Sequence, residues 1–165
     1  MADPSAPSPP EWPRTASYET DALDEALTAV LATRDARTGT CLVFHGGTRE
    51  ERQQALTLVT RHVTGTVHQF EVPSLLAERR MQTQNSLRKA FDHAAEEDAL
   101  LFFDRADALF THRHPDAPDA DTAPTTLEYV FDRMEAFGGT IVLGLDRERH
   151  VERAMDLTHL IVEFG

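Results

Sequence analysis

The sequence predicts a three-layer α/β fold built on a five-stranded parallel sheet. Three observations carry that expectation. Short apolar runs alternate with amphipathic helical patterns from about residue 21 to the last residue, as repeated right-handed βαβ crossovers require. The runs CLVF (41–44) and ALLFF (99–103) are apolar without a break, which is the composition of strands covered by helices on both faces. Glycine pairs and proline-rich polar stretches punctuate the periodic segments.

Taken in order, residues 1–17 are rich in Pro, Ser and Ala and are expected to be a disordered tail, with Trp12 its one large aromatic. Leu23, Leu27, Val30 and Leu31 recur at helical spacing and predict a helix over 21–33. CLVFH (41–45), bounded by Gly39 and by Gly46–Gly47, reads as a buried strand. Ala55, Val59 and Val63 mark one side of a helix over 49–63, and VHQFEV (67–72) is the second strand. Leu87, Phe91 and Ala94 place a helix over 84–97, before the strand at 99–103. The loop 111–124, THRHPDAPDADTAP, is too long and polar for a simple connection. Leu127, Val130, Phe131 and Met134 then predict a helix that Gly138–Gly139 ends. TIVLGL (140–145) is the fourth strand, a short helix spans 149–156, and HLIVEF (159–164) is the fifth strand.

The bulk composition narrows the function classes. With 41% hydrophobic and 27% charged residues, the 165-residue chain is expected to form one globular unit over 18–165. A formal charge of −12 argues against a nucleic-acid partner, since phosphate binding needs basic surface. No apolar stretch reaches the roughly 18–20 residues that span a bilayer. The first residues have neither the basic start nor the apolar segment of a signal peptide, so the cytoplasm is the expected compartment. Cys41 is the single cysteine and lies in a strand, so it reads as a core thiol.

Several blocks resemble one family. FFDRADALF (102–110) resembles the Walker B block of the AAA ATPases, an apolar run followed by D-E-A-D-A-L-F. CLVFHGG (41–47) lies where that family's first strand enters its phosphate loop. NSLRKAFDHAAEEDA (85–99), DRMEAFGGTIVLGLD (132–146) and HLIVEFG (159–165) are similar to its later helix, sensor-1 and closing-strand segments. The resemblance implies a degenerate AAA large subdomain with a P-loop NTPase-like fold, without the C-terminal helical lid.

What the family uses for chemistry is largely replaced here. A working phosphate loop reads G-x-x-x-x-G-K-[ST], in which backbone N–H groups and the lysine hold the phosphates and the hydroxyl binds magnesium. This chain has GGTREERQ over 46–53. Gly46 remains at the first glycine position with Gly47 beside it, Glu51 stands at the second glycine position, and Arg52 and Gln53 stand at the lysine and hydroxyl positions. Asp104 matches the magnesium-binding carboxylate. Arg105 occupies the position of the water-activating glutamate, and a permanently protonated guanidinium cannot act as a base. Asp107 is expected to make local hydrogen bonds or to pair with Arg105. Asp146 falls at the sensor position, and Arg153 is the candidate nearest to the finger. Arg79 and Met81 take the places of the pore aromatic and its glycine.

The resemblance therefore implies a non-catalytic scaffold or adaptor that binds a protein partner, either an active AAA relative or further copies of itself. No cofactor is expected on this reading. The alternative is a weak ATP-binding protein or ATPase that uses Arg52 for lysine and takes ATP or ADP with Mg through Gly46, Gly47, Gln53, Asp146 and Asp104. His112, His114 and Asp116 have the residue types of metal ligands but read as solvated loop residues. His45 and His159, beside strands, read as satisfied structural histidines.

Overall fold

The computed structural model describes residues 13–32, 39–63, 66–112 and 125–164. The elements run β1 (Arg14–Ser17), α1 (Thr20–Ala32), β2 (Thr40–His45), α2 (Arg49–His62), β3 (Val67–Glu71) and α3 (Val72–Leu75). They continue with α4 (Arg80–Glu96), β4 (Leu100–Asp104), α5 (Ala108–Thr111), α6 (Thr126–Ala136), β5 (Thr140–Leu145), α7 (Glu148–Ala154) and β6 (Leu160–Glu163). A single 3-10 turn, Met155–Leu157, joins α7 to the last strand.

All strands are parallel and form one sheet in the order β1-β6-β2-β5-β4-β3. The sheet thus has six strands rather than the five that the sequence predicts. The added strand is β1, which lies inside the stretch read as a Pro/Ser/Ala-rich tail; residues 1–12 of that stretch, with Trp12, lie outside the described residues. Its four residues are mostly exposed and pair in register with Leu160–Glu163. Such an edge strand is held by backbone hydrogen bonds, so it needs no apolar run that a reader could find.

The unbroken apolar runs follow from burial on both faces. Cys41, Val43, Leu101, Phe103, Ile141, Leu143 and Ile161 point to one side, under α4, α6 and α7. Leu42, Phe44, Leu100, Phe102, Val142, Leu160 and Val162 point to the other, under α1 and α2. Phe44, Phe102 and Phe103 are fully buried, each contributing about 1.5–3 kcal/mol of transfer free energy.

Helix starts are specified by local chemistry. At α2, Thr48 and Glu51 form a reciprocal capping box, and Thr125 and Glu128 do the same for α6. Burial pushes the thiol of Cys41 up to about 12 against a weaker opposing hydrogen bond to Thr158, which leaves it an inert core group. Among the described residues, no helix is long and apolar enough to cross a membrane.

Candidate functional site

The carboxyl ends of β2, β4 and β5 converge, and in open α/β sheets this is where ligands bind when they bind. Gly46 and Gly47 both have positive φ, near 79° and 81°. A Cβ on Gly47 would lie 2.7 Å from the Phe164 ring, so the turn demands glycine sterically as well as conformationally. Gly46 N donates to Leu145 O at 2.9 Å, which ties the turn to β5.

Arg52, one turn into α2, folds back over this loop. Its Nη1 donates to Gly47 O at 2.7 Å and to Gly46 O at 3.4 Å. Its Nη2 donates to Asp104 Oδ2 at 3.5 Å. Nε lies 3.0 Å from Asp104 Oδ1 but out of line for a hydrogen bond, so that contact is an ion pair only. The side chains are 11% and 2% exposed, so Asp104 is buried and Arg52 mostly covered. Asp104 Oδ1 also accepts from Arg105 N at 2.9 Å, and Arg105 itself adopts φ near 53°. A Cβ on Gly144 would come within 2.6 Å of the same oxygen, so the carboxylate is seated in space that only glycine leaves open.

These residues do not fit a magnesium nucleotide in the arrangement they hold. An anion cradle turns backbone N–H groups inward. Here the carbonyls of Gly46 and Gly47 face the guanidinium instead. Two of the loop's N–H groups are already used, Gly46 N by Leu145 O and Thr48 N by the Glu51 carboxylate at 3.0 Å. The carboxylate of Asp104 is turned to Arg52 and to its own neighbour's N–H. Of the residues singled out from sequence, the structure brings together Gly46, Gly47, Arg52 and Asp104. Arg105 and Asp146 are exposed at the rim, and Gln53 is half-buried on α2.

A second cluster was not visible in the sequence. Asp107 accepts from Asp146 N at 2.7 Å and from Arg147 N at 3.1 Å, capping the start of α7 from a neighbouring loop. The same carboxylate meets His150 Nδ1 at 2.5 Å. So the Asp107 carboxylate bonds neither within its own segment nor to Arg105, as the sequence suggests, but to α7. His150 is buried, and its ring stacks on Phe110 at 4.3 Å with 12° between planes. The Arg153 guanidinium lies over the same Phe110 ring, 5.6 Å from its centroid. The partners are separated by some forty positions in sequence, and no local pattern couples them.

The remaining histidines bear on the sequence reading directly. His45 Nδ1 is 2.9 Å from Glu163, and His159 Nδ1 accepts from Cys41 N at 3.1 Å, so both are satisfied at strand ends. His114 and Asp116 lie outside the described residues. Among the described residues, no group of three or more His, Cys, Asp or Glu side chains is placed to hold a metal ion.

No family model matches the sequence, and no curated protein matches it. In fold, the chain is similar to a chain of the E. coli MS115-1 HORMA:CdnC:Trip13 complex, with a TM-score of 0.54 and 16% identity. The match covers 88% of this chain and 61% of that one, so this chain spans less than two thirds of its neighbour. At that identity the likeness speaks for fold alone.

The comparisons correct the family reading. The assignment to a degenerate AAA large subdomain is not sustained, nor are the P-loop NTPase label, the role of a non-catalytic AAA subunit and the weak-ATPase alternative. No family model supports them, and the likeness in fold leads to a HORMA-containing assembly. The physical reason is that the quoted blocks are mostly what a buried parallel sheet demands. Apolar strands, a carboxylate that ends a strand and amphipathic crossover helices arise from packing. Their order reports an architecture, and the statement kept is an α/β fold with one all-parallel six-stranded sheet.

Proposed function

We propose that this chain is a protein-binding adaptor in a multi-protein assembly, of the HORMA-containing kind to which its fold is similar. One observation carries the reading: the crevice at the strand tips is closed by the chain's own Arg52–Asp104 pair and loop carbonyls. A site already satisfied from within has little to offer a small anionic ligand, and what is left to the molecule is its outer surface. The similar structure is itself a complex of several proteins. The net charge of −12 disfavours nucleic acid as the partner, and a protein partner or a second copy is the class that fits. The reading places the chain in the cytoplasm.

No cofactor belongs to this reading, and ATP or ADP with Mg is what the decisive experiment tests. Calorimetry with Mg-ATP and the full chain is expected to give no binding heat. Micromolar binding that disappears in Arg52→Ala would overturn the proposal, because it would show that the guanidinium leaves Asp104 to hold a phosphate. Native mass measurement in the same buffer then reports whether the chain associates with itself.

A further inference from the structure

We infer that the groove between α5 and α7 is a docking site for an acidic segment of a protein partner, received by Arg149 and Arg153 beside Phe110. This rests on the protein-binding reading and names the partner's chemistry. Phe110, Thr111, Arg149, His150, Glu152 and Arg153 line the groove. Arg149 and Arg153 are four residues apart on one helix, which sets them side by side on its surface. Both are exposed, and neither forms an ion pair with a described residue.

The geometry readies one of them for a carboxylate. The Arg153 guanidinium lies over the Phe110 ring, whose position is fixed by stacking on buried His150 and by an edge contact to Phe131 at 6.1 Å. A guanidinium parked over an aromatic ring keeps its in-plane N–H donors free, and those donors match a carboxylate two at a time. Holding the group in place beforehand lowers the ordering cost of binding. The platform beneath is equally anchored, since Asp107 fixes both the start of α7 and His150.

Charge selects the partner class. Over a chain of net −12, an acidic segment is repelled at most approaches. Among the described residues this groove carries two arginines against one glutamate, a local excess of positive charge that favours such a segment. The same overall charge disfavours a long nucleic acid, whose phosphates would extend past the groove onto acidic surface.

The test uses the full chain and a fluorescein-labelled, end-capped peptide of alternating aspartate, glutamate and leucine. Its counterpart carries asparagine and glutamine in place of the acids. Fluorescence anisotropy is expected to show binding of the acidic peptide, weakened at least tenfold by Arg149→Glu with Arg153→Glu. The pair Arg61→Glu with Lys89→Glu, which makes the same charge change on exposed positions of other helices, is expected to leave the affinity within twofold. Thermal melts of both variants confirm folding, and Arg153→Lys, which keeps charge but not the planar donor fork, is expected to lose part of the affinity.

The inference is overturned if the amide peptide binds as well, if both charge-reversal pairs weaken binding equally, or if no binding appears at millimolar peptide. It is overturned too if a single-stranded oligonucleotide displaces the peptide at lower concentration than the unlabelled peptide does. The adaptor reading fails separately, by nucleotide binding through Arg52. Self-association or partner binding that ignores Arg149 and Arg153 removes the groove and keeps the adaptor.

Discussion

Arginine plays opposite parts in two regions of this molecule. At the strand tips, Arg52 is 11% exposed and spends its donors on Asp104 and the carbonyls of Gly46 and Gly47. Across the groove from α5, Arg149 and Arg153 stand exposed on α7, one of them lodged over Phe110. The first region closes a polar crevice by internal pairing; the second leaves cations facing outward from an acidic chain. The same side chain stabilises the fold in one setting and offers recognition in the other, and burial decides which.

The largest expected effect breaks the first region. Arg52→Ala leaves Asp104 buried with its ionic partner removed, which costs about 3–5 kcal/mol. For a chain of this size that lowers the melting temperature by roughly 10 °C, read in a thermal melt. Combining Arg52→Met with Asp104→Asn is expected to cost well under the sum of the single changes, because neither partner is then left charged and alone. Additive losses would mean that the two residues do not act as a pair.

A smaller change sharpens the same region. Gly144→Ala would place a methyl group 2.6 Å from Asp104 Oδ1, and overpacking of this kind costs about 1–3 kcal/mol. Urea unfolding is expected to show that loss in the wild-type background and a smaller one in Arg52→Met with Asp104→Asn, where the side chain at 104 is free to yield. Equal losses would place the clash on the backbone instead.

The sequence made the outline of the sheet legible and left its edge and its polar wiring hidden. The apolar runs at 41–44 and 99–103 announce doubly covered strands because burial on two faces forbids polar residues. β1 gives no such sign, since its mostly exposed residues contribute through backbone pairing with β6. At the candidate site, Glu51, which stands at a phosphate-loop glycine position in the sequence, instead closes a capping box with Thr48. That Arg52 turns back onto Asp104, or that Asp107 reaches α7, follows from strand order in space, which brings residues some forty to fifty positions apart together. The family resemblance went astray for a related reason: block order encodes architecture more firmly than descent or activity.

On the groove side, Asp107→Ala is the next test in size. It removes the acceptor for Asp146 N and Arg147 N, a loss of about 0.5–2 kcal/mol for a capping carboxylate. It also frees His150 from its partner, so the stack on Phe110 is expected to loosen. Amide hydrogen exchange should then rise in α7 while β2 and β5 stay protected. Uniform exchange across the sheet would show that Asp107 supports the whole fold and not the groove alone.

The smallest stability effect is the most telling for function. Arg153→Ala removes an exposed guanidinium over one ring, a contact worth about 0.5–1 kcal/mol, and Arg149→Ala, with no described ion pair to lose, should fall within about 0.5 kcal/mol of the parent. Residues so cheap to remove are not retained by the fold's energetics, whereas Arg52 clearly is. Chemical denaturation of the two variants therefore separates the two regions. Near-silent losses at 149 and 153, beside a large one at 52, would confirm that the outward arginines are free to serve a partner. A loss above about 2 kcal/mol at either position would exceed the usual range for surface substitutions. It would assign that residue to the fold and bring the comparison between the regions down.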